Sequence, residues 1–292
     1  MGAKGQKALG AAVRRLREDG HDVLPVPTHG PGTAGGIARE AVAGGAVLII
    51  VAGGDGTVNE TLDGMVGSRV PLGVLPAGTA NVLAMEIGVP VAPATAAARL
   101  ADCVPCRISV GCVRYPDGAA RHFLLMAGVG VDARVVYELS GPLKAKFGKL
   151  AYWIAGFKLV GRVFEEFQVR VDGRVHVCSF ALVSKVRNYG GDLEIARNTS
   201  LFEDRFEIVL FAGRSALLYV KYLAAVLMKR VSGVRGVTVL RAREVALEEP
   251  AGERVYVQVD GEFAGRLPAT IEIVPDALTL LVPPAYARRF RR

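Results

Sequence analysis

The stretch Val47-Leu-Ile-Ile-Val-Ala-Gly-Gly-Asp-Gly-Thr-Val-Asn-Glu60 decides the fold of the first part of this chain. A short apolar run, typical of a buried strand, leads into Gly53-Gly54-Asp55-Gly56 and then into the start of a helix. Glycine lets a large anion approach the backbone because no Cβ stands in the way, and the first N–H groups of a helix have no internal partner. The pattern therefore predicts a phosphate site, to which Asp55 adds a carboxylate that can hold Mg²⁺ or polarise a hydroxyl.

A second stretch, Pro71-Leu-Gly-Val-Leu-Pro-Ala-Gly-Thr-Ala-Asn81, repeats the order of strand, glycine turn and helix start. Ligands of open α/β sheets bind where consecutive strands end, so two such loops favour a binding site. The residues leave a structural alternative open. The first loop can be a plain turn followed by a capping box from Thr57 to Glu60, and Thr79 or Asn81 can simply cap the second helix.

Composition narrows the class of protein. The 36 Lys and Arg residues exceed the 28 Asp and Glu residues by 8, a balance that suits anionic lipid or a phosphorylated ligand. No nucleic-acid-binding motif is visible, so we expect no nucleic-acid partner. Four irregularly spaced cysteines indicate a reducing compartment rather than a disulfide framework. No signal peptide and no apolar run of about 18 residues is visible, so we expect a cytoplasmic protein.

The periodicity predicts two domains. Helices over residues 6–19, 33–43, 57–66 and 79–87 alternate with strands over 22–27, 46–51 and 72–75, which indicates an α/β domain with a parallel sheet. From about residue 107 short strands dominate, which indicates an antiparallel sandwich. They are expected over 107–113, 123–126, 167–171, 175–183, 206–211, 237–240, 255–259 and 269–274, with helices over 144–163 and 215–229. The predicted domains are 1–105, to which 276–292 returns through a strand over 278–282, and 106–275.

Three motifs together resemble the diacylglycerol kinase catalytic-domain family, which includes bacterial lipid kinases and the sphingosine and ceramide kinases. They are Gly53-Gly-Asp-Gly-Thr-Val-Asn-Glu60, Leu75-Pro-Ala-Gly-Thr-Ala-Asn81 and Asp260-Gly-Glu262. The resemblance extends over nearly the whole chain. It implies an α/β nucleotide-binding domain of the NAD kinase and diacylglycerol kinase type, a β-sandwich for the lipid substrate, ATP as co-substrate and Mg²⁺.

The resemblance also assigns roles to individual residues. Asp55 would be catalytic and would hold the catalytic Mg²⁺, and Glu262 would be the general base that takes the proton from the lipid hydroxyl. Asp132 would contact the substrate, although it can equally cap a helix over 133–139, and Asp260-Gly261 can be an ordinary hairpin turn. The nucleotide would contact Gly53, Gly54, Asp55, Gly56, Thr57, Asn59, Glu60, Gly78, Thr79 and Thr28.

The chain departs from the family pattern at several positions. The family's opening strand and Asn-containing turn are missing before residue 6. Two acidic residues are replaced by Val82 and Ser109, and the Asp-Asp-Gly of the structural metal loop reads Glu203-Asp204-Arg205. The changed metal loop argues against a structural Mg²⁺ there. The loss of the acidic residues weakens the case for diacylglycerol as the substrate more than the case for kinase activity.

The expected partner is a lipid substrate at a membrane surface, reached by peripheral association with anionic lipid. Lys144, Lys146, Lys149 and Lys158 share a predicted helix with Tyr152, Trp153 and Phe157, a combination suited to the headgroup layer. Four arginines, at 288, 289, 291 and 292, form the tail. The sequence leaves open whether the protein forms a homodimer. The alternatives are an NAD kinase-like or other small-molecule kinase, and a family member that binds lipid or nucleotide without transferring phosphate.

Overall fold

The computed structural model describes residues 3–138, 164–189, 193–228, 230–231 and 233–290. The chain forms two compact units, of which unit 1 comprises residues 1–109 and 275–292 and unit 2 comprises residues 110–274. The chain passes from one unit to the other within strand β3 (Val104–Arg114) and again within strand β16 (Ala269–Val282).

Unit 1 contains a parallel sheet. Strand β1 (Ile49–Gly53) pairs with β2 (Pro71–Pro76), and β2 pairs with the last part of β16, where Thr279 lies opposite Pro71. Helix α3 (Asp55–Met65) connects β1 to β2. Because all three strands are parallel, the glycine loops that follow β1 and β2 lie at the same edge of the sheet.

Helices pack on this sheet. Helix α1 (Ala3–Glu18) contacts α5 (Pro93–Leu100), and α2 (Ala34–Ala43) contacts α3. Two further helices, α4 (Val82–Ile87) and α8 (Pro284–Phe290), follow β2 and β16. One core cluster joins α1, α5 and β2 through Ala12, Leu16, Leu75, Ala96, Ala97 and Leu100. The sequence pattern does not predict the short helices α5 and α8, because a helix of eight residues or fewer gives only about two turns of periodicity.

The strand expected over residues 22–27 is wrong. Residues 21–29 form neither helix nor strand, and Leu24 and Val26 are 85% and 52% exposed. Val23 packs against the α1–α5 cluster. Within the described part of the chain β1 pairs only with β2, so this segment has no neighbouring strand to supply the hydrogen bonds that a strand needs.

Unit 2 is a β-sandwich. Its six-stranded antiparallel sheet has the order β12-β11-β8-β5-β14-β15. The strands, in chain order, are β5 (Met126–Gly130), β8 (Phe180–Ser184), β11 (Phe206–Phe211), β12 (Val237–Ala242), β14 (Tyr256–Val259) and β15 (Glu262–Arg266). Strands β4 (Ala120–Phe123), β6 (Phe167–Val171), β7 (Arg174–Cys178) and β13 (Glu244–Glu248) pair with one another or with β3 and β16 on the other layer. Strand β9 (Asn188–Tyr189) pairs antiparallel with β10 (Leu193–Glu194).

The two layers of unit 2 share one hydrophobic core. Alternate residues of β6 (Phe167, Val169 and Val171) are buried, as expected for a strand with one face in a core. All six residues of β11 are buried, because its outer face is also covered. There Phe211 stacks on Phe180 and on Tyr222 of α7 (Ala216–Leu227), both with ring centroids 4.7 Å apart.

The predicted fold class is confirmed, whereas several element boundaries differ. The expected strand 175–183 is two strands, and 269–274 and 278–282 are one strand, β16, through Asp276 in the left-handed region with φ 48°. Its two ends pair with different strands, β13 and β2, so the pattern of one element could not reveal its continuity.

Some predicted features lie outside the described residues. They include the lysine- and aromatic-rich stretch from Lys144 to Lys158 and the last two arginines of the tail. Membrane docking through that stretch stays a prediction. Among the helices that the structure describes, none combines the length and the apolar character that crossing a membrane requires.

We expect the α2–α3 contact to be intolerant of added volume. A Cβ on Gly64 would lie 2.1 Å from the carbonyl oxygen of Gly35, so Gly64→Ala should lower the free energy of unfolding by about 1–3 kcal/mol. Urea denaturation measures this. The matched control is Gly10→Ala on α1, whose Cβ would come no closer than 3.7 Å to Arg14 and which should stabilise by up to about 1 kcal/mol. Equal effects of the two changes would contradict the close helix contact.

Candidate functional site

The two glycine loops of unit 1 touch through their backbones. A Cβ on Gly78 would lie 2.4 Å from the Cα of Gly54, and a Cβ on Gly54 would lie 3.1 Å from the Cα of Gly78. The N–H of Ala77 also donates to the carbonyl oxygen of Gly53 at 2.9 Å. Gly54 and Gly78 are therefore needed for the loops to approach each other, whatever ligand they bind.

Asp55 joins the loops through its side chain. Its two carboxylate oxygens accept the N–H groups of Val82 and Leu83, at 3.0 and 3.2 Å, and so cap the N-terminus of α4. Asp55 is also the first residue of α3 and is half-buried. Asp55 therefore has a structural role that the sequence pattern does not reveal, because its carboxylate caps a helix that begins 27 residues later.

Asn81 holds the second loop closed. It adopts the left-handed conformation with φ 49° and is 6% exposed. Its Oδ1 accepts the N–H of Gly78 and its Nδ2 donates to the carbonyl oxygen of Gly78, both at 2.9 Å. Neither Thr79 nor Asn81 caps α4 by a side-chain hydrogen bond, so the cap expected from them is supplied by Asp55 instead.

The other residues predicted to contact the nucleotide lie in different surroundings. Thr57 lies against Gly53, since a Cβ on that glycine would meet Thr57 at 2.7 Å. Asn59 is 1% exposed within α3. Glu60 accepts the N–H of Ala34 at 3.2 Å and so caps α2, which replaces the expected capping box with Thr57. Thr28 is exposed in the irregular segment 21–29 and stands on no strand.

This arrangement leaves the first turn of α3 open to an anion. Val58 is the first residue of this turn whose N–H donates within the helix, to the carbonyl oxygen of Gly54. The backbone N–H groups before it therefore remain available to a phosphate. Within the described ranges, no group of three or more His, Cys, Asp or Glu side chains is arranged so that it could hold a metal ion by itself. Asp55 retains free lone pairs, and Mg²⁺ commonly binds one or two carboxylates together with substrate phosphates. The loops therefore fit a Mg²⁺ that arrives with a nucleotide.

In unit 2, Glu262 begins β15 directly after a tight hairpin turn. Asp260 and Gly261 both have positive φ, 48° and 85°, as a two-residue turn of this kind requires. The Asp260 carboxylate is 9% exposed and accepts three N–H groups, those of Leu124, Leu125 and Met126, at 2.9–3.0 Å. The turn that presents Glu262 is thus clamped by a buried aspartate, which the sequence pattern marked only as a turn residue.

Asp132 lies on helix α6 (Val131–Glu138), which follows β5. The register places Val259 beside Ala127 and Val257 beside Val129, so the hairpin turn lies at the start of β5 and α6 follows its other end. At about 3.3 Å per residue, the four steps along β5 separate these ends by roughly 13 Å. Asp132 and the turn before Glu262 are therefore at opposite ends of the same strand.

The residues around the expected structural metal loop do not fit a metal ion. Lys185 is fully buried, and its Nζ donates to the carbonyl oxygen of Glu203. The Glu203 carboxylate forms an ion pair with Arg241. Burial lowers the pKa of the Lys185 amine from its usual 10.5 to about 7, and the nearby Asp204 carboxylate opposes that shift. An amine and a guanidinium group thus contact the segment that corresponds to the family's structural metal loop.

The cap formed by Asp55 predicts how substitutions there affect stability. Asp55→Ala should lower the free energy of unfolding by about 1–2 kcal/mol, because two N–H groups of α4 lose their acceptor. Asp55→Asn keeps one acceptor oxygen and should cost less. Urea denaturation of both variants measures the difference. An alanine variant as stable as the wild type would mean that the cap contributes nothing.

The lowered pKa of Lys185 predicts that the stability of the protein depends on pH. Between pH 7 and 10.5 the unfolded chain holds a proton that the folded chain has released. Stability should therefore rise with pH across this window, by up to about 1.4 kcal/mol per pH unit. Lys185→Met should remove that rise, whereas Lys221→Met, at an exposed lysine, should keep it. Parallel slopes for wild type and Lys185→Met in urea unfolding from pH 7 to 10 would contradict the prediction.

Two family models match the chain. Residues 2–113 match the family model of the diacylglycerol kinase catalytic domain, and residues 126–282 match that of the YegS C-terminal NAD kinase beta sandwich-like domain. A diacylglycerol kinase of Mycobacterium tuberculosis is 30% identical over 95% of this chain and 90% of its own. The diacylglycerol kinase of Bacillus subtilis is 26% identical over 90% of this chain and 86% of its own.

A solved structure has a similar fold. A diacylglycerol kinase from Bacillus anthracis superimposes with a TM-score of 0.77 at 25% identity, covering 96% of this chain and 92% of that one. Together the two family models span both units, from the glycine loops to the end of β16. The chain therefore belongs to the diacylglycerol kinase-like family of lipid kinases.

Proposed function

We propose that this protein transfers the γ-phosphoryl group of ATP to a hydroxyl group of a diacylglycerol- or sphingoid-type lipid, with diacylglycerol preferred. The observation that carries the proposal is the pair of glycine loops held together by Asp55, next to the open first turn of α3. Diacylglycerol is preferred because relatives at 26–30% identity carry the name diacylglycerol kinase.

Phosphoryl transfer needs positioned phosphates, neutralised charge and an oriented nucleophile more than it needs covalent work by the protein. In the proposed reaction Gly53, Gly54, Gly56 and Thr79 bind the nucleotide phosphates through backbone N–H groups, and Gly78, whose N–H donates to Asn81, lets the second loop come close to them. Bound Mg²⁺, beside Asp55, would supply positive charge to the phosphate oxygens. The cap that Asp55 forms on α4 also offsets its own negative charge, because a helix N-terminus carries partial positive charge.

Glu262 is the proposed general base. Its carboxylate accepts the proton of the lipid hydroxyl as that oxygen bonds to the γ-phosphorus, and the bond from the γ-phosphorus to ADP breaks. The products are a lipid phosphate monoester and ADP. The clamp formed by Asp260 fixes the turn before Glu262, which supports the proposal because a base must be positioned to reach the proton it accepts.

A binding protein that does not transfer phosphate is the second candidate. Val82 and Ser109 stand where the family pattern has acidic residues, and Ser109 is 3% exposed. A chain without those carboxylates has fewer groups to hold Mg²⁺. The same glycine loop also occurs in NAD kinases, so NAD belongs among the acceptors to be tested.

Incubation of the full chain with γ-labelled ATP, Mg²⁺ and mixed vesicles tests the proposal. The vesicles contain dioleoylglycerol or sphingosine, and a separate reaction contains NAD without vesicles. Label in the lipid phase with dioleoylglycerol supports the proposal, and label on sphingosine alone moves the substrate to the sphingoid type. Label on NAD alone, or ATP binding without transfer to any acceptor, overturns it in favour of the corresponding rival.

Glu262→Gln should lower kcat by roughly 10²–10⁴-fold, the usual contribution of a general base. The KM for ATP should change little, because the residue serves the acceptor. Glu244→Gln, at an exposed position of β13, is the matched control and should leave kcat unchanged. A Glu262→Gln variant that turns over normally, or that loses ATP affinity instead, would show that the assigned role is wrong.

A further inference from the structure

Unit 1 contains a cavity of ≈ 320 Å³ that lies apart from the glycine loops. It is formed where β2 and β16 run under α5, and it is closed by the residues after α4 and by the start of α8. Its volume is at the small end of the range for ligand pockets, so it can hold a short apolar segment rather than a whole large ligand.

The lining divides into an apolar part and a charged part. The apolar part consists of aliphatic and proline side chains, among them Val74, Val89, Ala96, Leu100 and Leu281. The charged part consists of Arg99 on α5, Arg288 on α8 and Asp102 in the turn after α5. The two guanidinium groups outnumber the single carboxylate, so this part of the cavity has net positive charge.

Neither arginine is engaged elsewhere as far as the described residues show. Arg99 and Arg288 are both exposed, and no ion pair to either side chain occurs within the described ranges. By contrast, Arg69 and Arg107 of the same unit both pair with Asp276. A guanidinium group presents a fork of donors that matches a phosphate or carboxylate, so Arg99 and Arg288 are available to an anion.

We propose that this cavity binds an amphiphilic lipid phosphate, with acyl carbons against the aliphatic lining and the phosphate between Arg99 and Arg288. A nucleotide fits the lining less well, because reading a base needs several polar groups and the lining is mainly aliphatic. A bare phosphate leaves the aliphatic surface unfilled. The site does not depend on the proposed kinase activity, although a lipid phosphate is also the product of that reaction.

Cys103 offers a direct reporter for this cavity. It is one of the lining residues and is half-buried, whereas Cys106, Cys112 and Cys178 are buried. Burial raises the pKa of the Cys103 thiol, and the Asp102 carboxylate adds to the rise. Reaction with a maleimide at one fixed pH therefore reports access to this thiol, and Cys103→Ser supplies the background rate from the other cysteines.

The experiment measures the rate of maleimide labelling of the full chain, without ATP, in three additions. These are dispersed dioctanoyl phosphatidic acid, dioctanoylglycerol and inorganic phosphate. We expect dioctanoyl phosphatidic acid alone to slow labelling by about fivefold or more at saturation, because pockets of this kind bury most of a bound group. Arg99→Gln and Arg288→Gln should each raise the half-protecting concentration roughly tenfold, through loss of a hydrogen bond to a charged group.

Arg14→Gln is the control, since Arg14 is an exposed arginine on α1 outside the lining. It should leave the protection unchanged, and thermal unfolding should show that all variants remain folded. Equal protection by inorganic phosphate, equal protection by dioctanoylglycerol, or no protection by dioctanoyl phosphatidic acid would each overturn the proposal. Because no step uses ATP, a negative kinase assay leaves this result intact, and the reverse also holds.

Discussion

The capping of helix α4 by Asp55 is the interaction on which the candidate nucleotide site depends. It connects the loop after β1 to the loop after β2, while the backbones of Gly54 and Gly78 meet directly. A parallel sheet brings the two loops to the same edge, and this carboxylate, together with the hydrogen bond from Ala77 to Gly53, fixes how closely they approach. The first N–H groups of α3 are thereby held in place before a ligand binds, which reduces the ordering cost of binding.

In unit 2 a second aspartate, the buried Asp260, has a comparable structural role. Asp260 clamps three consecutive N–H groups and so fixes the turn before Glu262. Both aspartates lie in motifs that suggest chemistry, yet each has a structural role in this chain. Loss of activity on replacing either with alanine would therefore mix a chemical effect with a structural one. Asparagine variants separate the two, because they retain an oxygen acceptor while losing the charge.

Lys185 illustrates how a family feature can be altered while the fold persists. The segment from Glu203 to Arg205 is contacted by the Lys185 amine, and Glu203 forms an ion pair with the Arg241 guanidinium group. A buried amine with a lowered pKa costs stability when protonated. Hydrogen bonding to the Glu203 carbonyl and proximity to Asp204 offset part of that cost.

The sequence by itself determined the α/β and β-sandwich classes, both glycine loops and the hairpin at Asp260-Gly261. These features depend on local patterns, namely apolar periodicity, glycine at turns and the spacing of short motifs. The tertiary structure alone decided that residues 22–27 form no strand, since a strand requires a neighbour. It also decided that Asp55 caps α4, that Glu60 caps α2, and that Asp132 lies away from the turn before Glu262. The contacts of Asp55 and Glu60 join residues 26 to 28 positions apart, and the clamp formed by Asp260 joins residues up to 136 positions apart. A local pattern carries no information about which distant N–H group a carboxylate will reach.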